Sequence, residues 1–534
     1  MRNFNFKKDW RLDLLIFLIL LGIIFSLQLI GIFGRTTDFE DGSGMFEGSY
    51  RVTLHQVPFK DFFIPYIPLV FYVQAFFNFV FGSTLFSMAI HGFVLAGIIC
   101  IPFYFLVRKE MGYIMSLIFT VFFYISFNGL QFHPYYNQYA SFFFLINIFL
   151  IIKSIKKDSI HWSVYLLSAI LGTLTFYSKQ DLGLLHIFFV FLYFVINYPK
   201  KLKSILMFYV VPGIVLLLGS YILFCNIIPG FEYWFNIGQP PHSSRISNLL
   251  EPLKLLDIFQ SWRVYFCVIF VYFIFFTKFS PYRKRMMSLF IVISGSTLIH
   301  YIISNSTRQI FVTGIPLLIF LLYELIKDFL QDTTLNKNGD LSSRLIVNVI
   351  LVIFLIWAVN PLPTYGFILM NHLNPDMTQI PNGCYAGFLI TKVGLNELTE
   401  IREVIESNNN SFVSMTDYGF LYCDYNLTPP KNIPLWFHEG VSFFRENVPD
   451  IVSEITSLKP QVILIRDPNS YQEPRLDKVF EQAFISKGYR LEKIAPSERR
   501  LPIIILVRNE SSTECRLPLT NLKFPDKSSD VFSD

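Results

Sequence analysis

The chain has 534 residues, of which 53% are hydrophobic and only 16% charged, with a formal net charge of +5. A mean hydropathy of +0.47 excludes an ordinary soluble protein of this length. The basic residues are scattered over loops instead of gathered on one face, which argues against a nucleic-acid partner. Runs of about twenty apolar residues recur, each long enough to cross a hydrocarbon core of roughly 30 Å.

The first run, 14–33, follows basic residues as a signal peptide would. It is too long for a cleaved h-region and no small-x-small site precedes Gly34, so it reads as a retained span. Segment 34–83 then reads as an outer loop. It holds Asp38, Glu40 and Asp41 among glycines, a turn at Pro58-Phe59-Lys60-Asp61, and a ring-rich stretch opening at Pro68. The ring-rich stretch suits a helix lying at headgroup depth.

Further spans are expected at 84–107, 112–131, 137–153, 162–178, 183–198, 205–228, 262–278, 286–304, 309–327 and 345–363, about eleven in all with the first. Lys and Arg crowd alternate connections: Lys7, Lys8 and Arg11; Arg108 and Lys109; Lys153, Lys156 and Lys157; Lys200, Lys201 and Lys203; Arg283, Lys284 and Arg285. The positive-inside rule then places the N-terminus in the cytoplasm, and the first loop and everything after residue 363 outside.

From 364 to 510 the character changes. Helix-like stretches alternate with short β-rich runs (SFVSM, QVILIRD, RLEKIA, PIIILVRN), the pattern of a small α/β domain with a partly parallel sheet. No glycine-rich phosphate loop occurs there, and 511–534 reads as a polar tail. Cys100, Cys225 and Cys267 sit in apolar runs as small core residues. Cys384 and Cys423 could pair if their region faces an oxidising compartment. Neither a CxxC pair nor HExxH is present to encode zinc.

The unusual polar residues of the membrane part fall on the expected outer side. Besides the first loop they are His133, Tyr135, Tyr136, Asn137 and Gln138; Lys179, Gln180 and Asp181; His242 and Arg245; and Asn305 and Arg308. Carboxylates, separate cations and aromatic walls at the lipid boundary suit transfer from a lipid-linked substrate. A carboxylate takes the proton of an incoming hydroxyl, and Lys or Arg holds the departing phosphate. His91, His186 and His300 fall inside spans and read as packing residues bonded to a neighbouring helix. A transporter or flippase of lipid-linked saccharides is the alternative reading. It calls for mid-span charges and internal repeats, of which the chain shows little.

The order Asp41, then Pro58-Phe59-Lys60-Asp61 seventeen residues on, then Pro68-Leu69 and the Phe81-Gly82 turn resembles the GT-C membrane glycosyltransferases. The likeness is to the bacterial relatives of protein O-mannosyltransferases and aminoarabinose transferases (glycosyltransferase family 39-like). Tyr136-Asn137 and the spacing of Gly172, Lys179-Gln180 and Gly183 extend it. The chain departs from the pattern at Gly42, where many relatives have Glu, and at Phe59-Lys60, which replace Tyr-Arg.

The resemblance implies inverting transfer of a sugar from a polyprenyl-phosphate carrier to an acceptor glycan, lipid or protein, at the outer face of the bacterial inner (cytoplasmic) membrane. Asp41 matches the family's catalytic position and would be the base, with Asp61 as its structural or metal-supporting partner. Asp41 and Asp61 are also the candidates for a divalent cation. Lys60, Tyr136, Asn137, Lys179, Gln180, Arg245 and Arg308 complete the expected substrate site, the last two chosen from sidedness and charge. The expected domains are 1–363, GT-C-like with 34–83 as its first outer loop; 364–510, extracytoplasmic; and the tail.

Overall fold

The computed structural model describes residues 10–34, 39–64, 68–128, 132–155, 159–228, 230–232, 262–276, 279–304, 314–332, 362–435, 437, 445–466, 475–495 and 503–509. The protein is mostly helical, with several long apolar helices. In chain order come α1 (Trp10–Gly34), α2 (Phe39–Thr53), β1 (Phe62–Phe63), α3 (Leu69–Phe81), α4 (Leu85–Met111), α5 (Tyr113–Asn128), α6 (Tyr136–Ser154), α7 (Trp162–Ser178) and α8 (Gln180–Asn197). Then follow α9 (Leu202–Ile205), a π turn over Leu206–Val210, α10 (Val211–Ile227), α11 (Trp262–Phe276), α12 (Pro281–Ser304), α13 (Ile315–Asp332) and α14 (Leu362–Leu373). Helices stand at each expected span from 14–33 to 309–327, whereas 345–361 lies outside the described residues. Among the described residues four helical segments are long and apolar enough to cross a membrane: Arg11–Gly34, Leu85–Met111, Gln180–Asn197 and Pro199–Ile227.

The chain divides into two compact units, the first made of 1–395, 417–436 and 440–442. In this unit α4 is capped at its start by Thr84 and closes at Gly112, whose N–H donates to Arg108 O. Polar side chains tie the apolar helices together, as buried polar groups must be tied. Gln28 on α1 donates to Phe132 O at 2.5 Å and accepts from Tyr124 OH and Asn128 Nδ2 at 2.8 and 2.9 Å. His186 on α8 meets Asn147 on α6 at 2.7 Å, and Asn147 accepts from Ser168 of α7. His91 on α4 meets Gln74 and Tyr139 at 2.8 and 2.7 Å. The in-span histidines are thus bonded to neighbouring helices.

Helices α7 and α8 pack closely because Gly183 has no side chain: a Cβ there would collide with the Phe176 backbone. Backbone cannot yield as a flexible side-chain tip can, so Gly183→Ala should cost about 1–3 kcal/mol. Thermal unfolding of the solubilised protein would show it as a lowered midpoint, and an unchanged midpoint would mean the helices separate freely.

After α14 the first unit continues with the antiparallel pair β2 (Met377–Gln379) and β3 (Leu389–Thr391). α15 (Lys392–Ser407) leads into the second unit, made of 396–416, 437–439 and 443–534. There β4 (Phe412–Met415) precedes α16 (Leu421–Asp424) and β5 (Ile433–Pro434), which return to the first unit. α17 (Val448–Ser457), β6 (Val462–Ile465), α18 (Leu476–Ile485), β7 (Tyr489–Ala495) and β8 (Ile503–Arg508) complete the second. Its sheet runs β4-β6-β8-β7, parallel between β4 and β6 and antiparallel elsewhere. Every residue of β6 is buried, as a central apolar strand requires. Arg466, at the end of β6, pairs with Glu397 of α15 inside this unit, both buried.

Candidate functional site

The expected loop after α1 is largely a helix. α2 contains Gly42, Gly44 and Gly48, each of which weakens an isolated helix by about 1 kcal/mol relative to Ala. Tertiary packing overrides this. Gly48 lets the Phe71 ring of α3 lie against the α2 backbone, a place a Cβ would fill. Ser49 Oγ accepts from Asn78 of α3 at 3.2 Å, and Asn78 accepts in turn from Gln74 and from Ser87 of α4. Asp41 lies in the first turn of α2. Asp38 and the side chains of Glu40 and Asp41 lie outside the described residues.

The later turns of α2 are clamped by segment 417–435. Arg51, fully buried, donates to Glu47 Oε1 from Nε at 2.8 Å and from Nη2 at 2.6 Å. Its Nη1 donates to Pro430 O and Gln56 Oε1, and Gln56 donates to Pro429 O at 2.7 Å. Gly419 leaves room for Glu47, whose carboxylate would strike a Cβ there.

The Pro58–Asp61 turn has Phe59 in the left-handed region at φ 66°, its N–H donating to Phe62 O at 2.8 Å. Asp61 is 7% exposed and closes the turn: Oδ2 accepts Val57 N–H at 2.8 Å and Oδ1 faces Lys431 Nζ at 3.1 Å. β1 then pairs in parallel with β5, Phe62 opposite Ile433. Lys60 is exposed beside Asp61.

Burial pushes the Asp61 carboxyl up, but the Val57 N–H and the Lys431 ammonium outweigh it and hold it below the usual range. A depressed carboxylate stabilises the fold above its unfolded value, about 3.9, and loses that contribution as pH falls through the lower folded value. Asp61 should therefore leave the pH profile flat between about 5 and 8 and loosen the turn only in acid. An Asp61→Asn variant whose activity profile shifts near neutrality would contradict this.

The disulfide Cys384–Cys423 joins piece 417–436 of the first unit to the end of its long piece, 1–395. Cys384 N–H donates to Asp424 Oδ1 at 2.6 Å, and Cys384 O accepts the Leu85 N–H that opens α4. Next to it Tyr385 stacks on Phe420 at 4.4 Å and meets Phe46 of α2 edge-on at 5.1 Å. Burial raises the Tyr385 phenol, keeping it protonated. Tyr385, His133 and Gly42 face one pocket, with Leu85, Met88 and Phe388 among its walls.

From His133 a line of rings leads along the start of α6: His133 to Tyr135 is 5.7 Å and Tyr135 to Tyr136 is 4.1 Å. Lys179 Nζ then stands 5.2 Å above the Tyr136 ring, a cation–π contact. Lys179 sits at the junction of α7 and α8, its N–H donating to Thr175 O at 2.8 Å, and Gln180 opens α8. Asp181 faces His300 Nδ1 of α12 at 3.0 Å. Asn137 is buried at the start of α6, and its Oδ1 has no hydrogen-bond partner among the described residues.

The structure thus brings Tyr136 and Lys179 together, with Asn137 and Gln180 at the starts of the same two helices. Asp61 belongs to the turn, and Arg245 and Arg308 lie outside the described residues. No cluster of three His, Cys, Asp or Glu side chains suited to a metal occurs among the described residues. Both oxygens of Asp61, one of the two expected cation ligands, already have partners.

Sequence reasoning missed Tyr385, Glu47–Arg51 and the Asp181–His300 pair. Only the neighbouring Cys384 hinted at Tyr385, because its contacts to Phe46 and Phe420 come from segments 339 and 35 positions away that no local pattern links.

Residues 65–224 match the family model described as dolichyl-phosphate-mannose-protein mannosyltransferase. The resemblance to protein mannosyltransferases read from the sequence holds over that stretch. Solved structures with a similar chain path include ArnT from Cupriavidus metallidurans bound to undecaprenyl phosphate. Its TM-score is 0.46 at 12% identity, covering 91% of this chain and 97% of that one. Another is the apo oligosaccharyltransferase of Archaeoglobus fulgidus, with TM-score 0.46 at 13% identity, covering 86% and 70%. The same organism's AglB in complex with an inhibitory peptide and a dolichol-phosphate gives 0.47 at 12%, covering 87% and 70%. No curated protein sequence matches the chain.

Proposed function

We propose that the protein is an integral-membrane inverting glycosyltransferase that moves a sugar from a polyprenyl-phosphate carrier to an acceptor on the extracytoplasmic face. The observation that carries this reading is the match of 65–224, which holds Lys179 and Tyr136, to a family described by a sugar donor on a lipid phosphate. The acid-bearing α2, packed on α3 within that stretch, supports it.

Asp41 accepts the proton of the acceptor hydroxyl as its oxygen bonds to the anomeric carbon. The carbon–oxygen bond to the phosphate breaks on the opposite face, which inverts the centre, and the bond's electron pair leaves with the polyprenyl phosphate. Lys179 stabilises the charge on that leaving group, with Arg245 and Arg308 as further cations. Tyr136 holds the ammonium in place. Asn137 and Gln180 supply polar contacts to the donor, and Lys60 meets the incoming acceptor. Asp61 keeps the turn beneath α2 in shape. A divalent cation is not needed by this scheme, in which charge on the phosphate is met by side chains.

The Cys384–Cys423 bridge supports an oxidising, extracytoplasmic setting for the segments that clamp α2. In a Cys515→Ser background, a membrane-impermeant thiol reagent should label Lys60→Cys in intact cells. Labelling only after permeabilisation would reverse the orientation. The reaction itself is tested in proteoliposomes with a panel of polyprenyl-phosphate sugars: free polyprenyl phosphate should appear only when an acceptor is supplied. Movement of uncleaved donor across the bilayer would make the protein a transporter instead.

A further inference from the structure

We propose that His91 is a positioning residue of the transfer reaction. It ties the helix that carries the base to the helix that carries the donor clamp, and so sets their separation. This rests on the roles of Asp41 and Lys179 given above.

The tie is a chain of buried polar side chains that crosses α2, α3, α4 and α6. On α2, Ser49 Oγ accepts from Asn78 Nδ2 of α3 at 3.2 Å. Gln74, one turn earlier on α3, donates from Nε2 to Asn78 Oδ1 at 2.8 Å and to Ser87 Oγ of α4 at 3.0 Å. With its amide nitrogen so engaged, Gln74 turns Oε1 to His91 Nδ1 of α4 at 2.8 Å. A carbonyl oxygen can only accept, so the imidazole carries its proton on Nδ1. Nε2 is then the acceptor, and the Tyr139 hydroxyl of α6 donates to it at 2.7 Å. One tautomer serves both bonds. The Phe77 ring lies on the imidazole at 4.8 Å, 8° from parallel, and fixes its plane.

The ends of this chain are the helices whose spacing the reaction needs. Ser49 stands on α2, whose first turn holds Asp41. Tyr139 follows Tyr136 by three positions on α6, and Lys179 Nζ stands 5.2 Å above the Tyr136 ring. Inverting transfer puts the base and the departing phosphate on opposite faces of the anomeric carbon. Its rate therefore depends on the distance between α2 and α6, and a misplacement of about 1 Å costs on the order of 10²-fold. Apolar contact between helices is non-directional. Hydrogen bonds hold both a distance and an angle. His91, at the middle of the chain, acts through the two helices without touching the substrate.

The test compares His91→Asn and Tyr139→Phe with Ser168→Ala, each as purified full-length protein in nanodiscs. His91→Asn keeps an amide nitrogen near Nδ1 for Gln74 and drops the bond to Tyr139. Tyr139→Phe drops the same bond from the other side and keeps the ring. Ser168→Ala removes a buried bond of the same kind elsewhere, the 2.7 Å bond from α7 to Asn147 Oδ1 of α6. Each variant loses one buried hydrogen bond and should melt lower than the native protein. Turnover is read per folded molecule, below each unfolding transition, with whichever polyprenyl-phosphate sugar of the panel the native protein uses. Binding is read with undecaprenyl phosphate alone.

His91→Asn and Tyr139→Phe should lower kcat about tenfold to a hundredfold, with KM and undecaprenyl-phosphate affinity within about twofold of native. The double variant should lose no more than the worse single one, since both break one link. Ser168→Ala should keep the native kcat. A native kcat in folded His91→Asn and Tyr139→Phe overturns the proposal and leaves the donor reading standing. So does an equal fall of kcat in Ser168→Ala, which makes the loss one of general stability. A raised KM with kcat unchanged overturns it as well. A native protein that neither binds undecaprenyl phosphate nor releases it from any donor of the panel removes the donor reading, and this proposal with it.

Discussion

Asp41→Asn should lower acceptor-dependent release of polyprenyl phosphate by about 10²–10⁴-fold, the usual contribution of a positioned general base. The amide has the shape of the carboxylate and still forms hydrogen bonds, but it cannot take the hydroxyl proton. Its place in the first turn of a helix clamped at its later turns favours a fixed geometry. The neighbouring acids serve as controls: Asp38→Asn and Glu40→Gln should retain most turnover, since only Asp41 stands seventeen residues before Pro58. Full turnover by a folded Asp41→Asn protein would remove Asp41 as the base. Loss of turnover in Glu40→Gln with Asp41→Asn active would move the role by one position.

Glu47→Ala should destabilise the protein by about 3–5 kcal/mol, the cost of leaving one member of a buried ion pair without its partner. The pair's side chains are 1% and 7% exposed, so water cannot replace the lost carboxylate. Arg51 would keep its bonds to Pro430 O and Gln56 Oε1 but lose both bonds to Glu47. Hydrogen exchange should rise along α2 and segment 429–435, and turnover should fall with it as the first turn of α2 loses its support. The β4-β6-β8-β7 sheet, in the other unit, should keep its protection. Exchange that rises equally in both regions would mean that the pair supports the fold at large and has no particular hold on α2. Glu47→Gln, which keeps an acceptor, should lie between the variant and the native protein.

These two predictions concern residues of one helix that differ in how visible they are in sequence. Asp41 is legible because the family pattern is local: an acid, a fixed interval and a Pro-aromatic-basic-Asp turn. Glu47 and Arg51 sit one helical turn apart, yet among three glycines nothing marks 39–53 as a helix. Its helicity comes from Phe71 lying on Gly48, from Asn78 bonded to Ser49, and from prolyl carbonyls of 429–430 receiving Arg51 and Gln56. Likewise Lys179 and Gln180 are readable as polar residues on the wrong side of the charge bias. That Lys179 stands over Tyr136, and that Asp181 faces His300, needs the packing of α6, α8 and α12.

Asp61 shows the opposite case. Its place in the motif marks it as a structural or metal-supporting partner of the site, and only the structure supplies the contacts to Val57 and Lys431 that hold it in the turn. The far partner is a lysine 370 positions on, beyond the reach of any local pattern.

The sequence by itself determined the helical membrane class, the positions of the apolar helices and the register of Asp41 with the turn that follows. Those follow from hydropathy over about twenty residues and from spacing within one segment, both local properties. Only the tertiary structure decided that the acid-bearing segment is a clamped helix, that the Cys384–Cys423 piece delivers Tyr385 to it, and that Tyr385, His133 and Gly42 share a pocket. The reason is physical: these contacts join residues hundreds of positions apart, and shape complementarity at a glycine or a ring leaves no periodic trace along the chain.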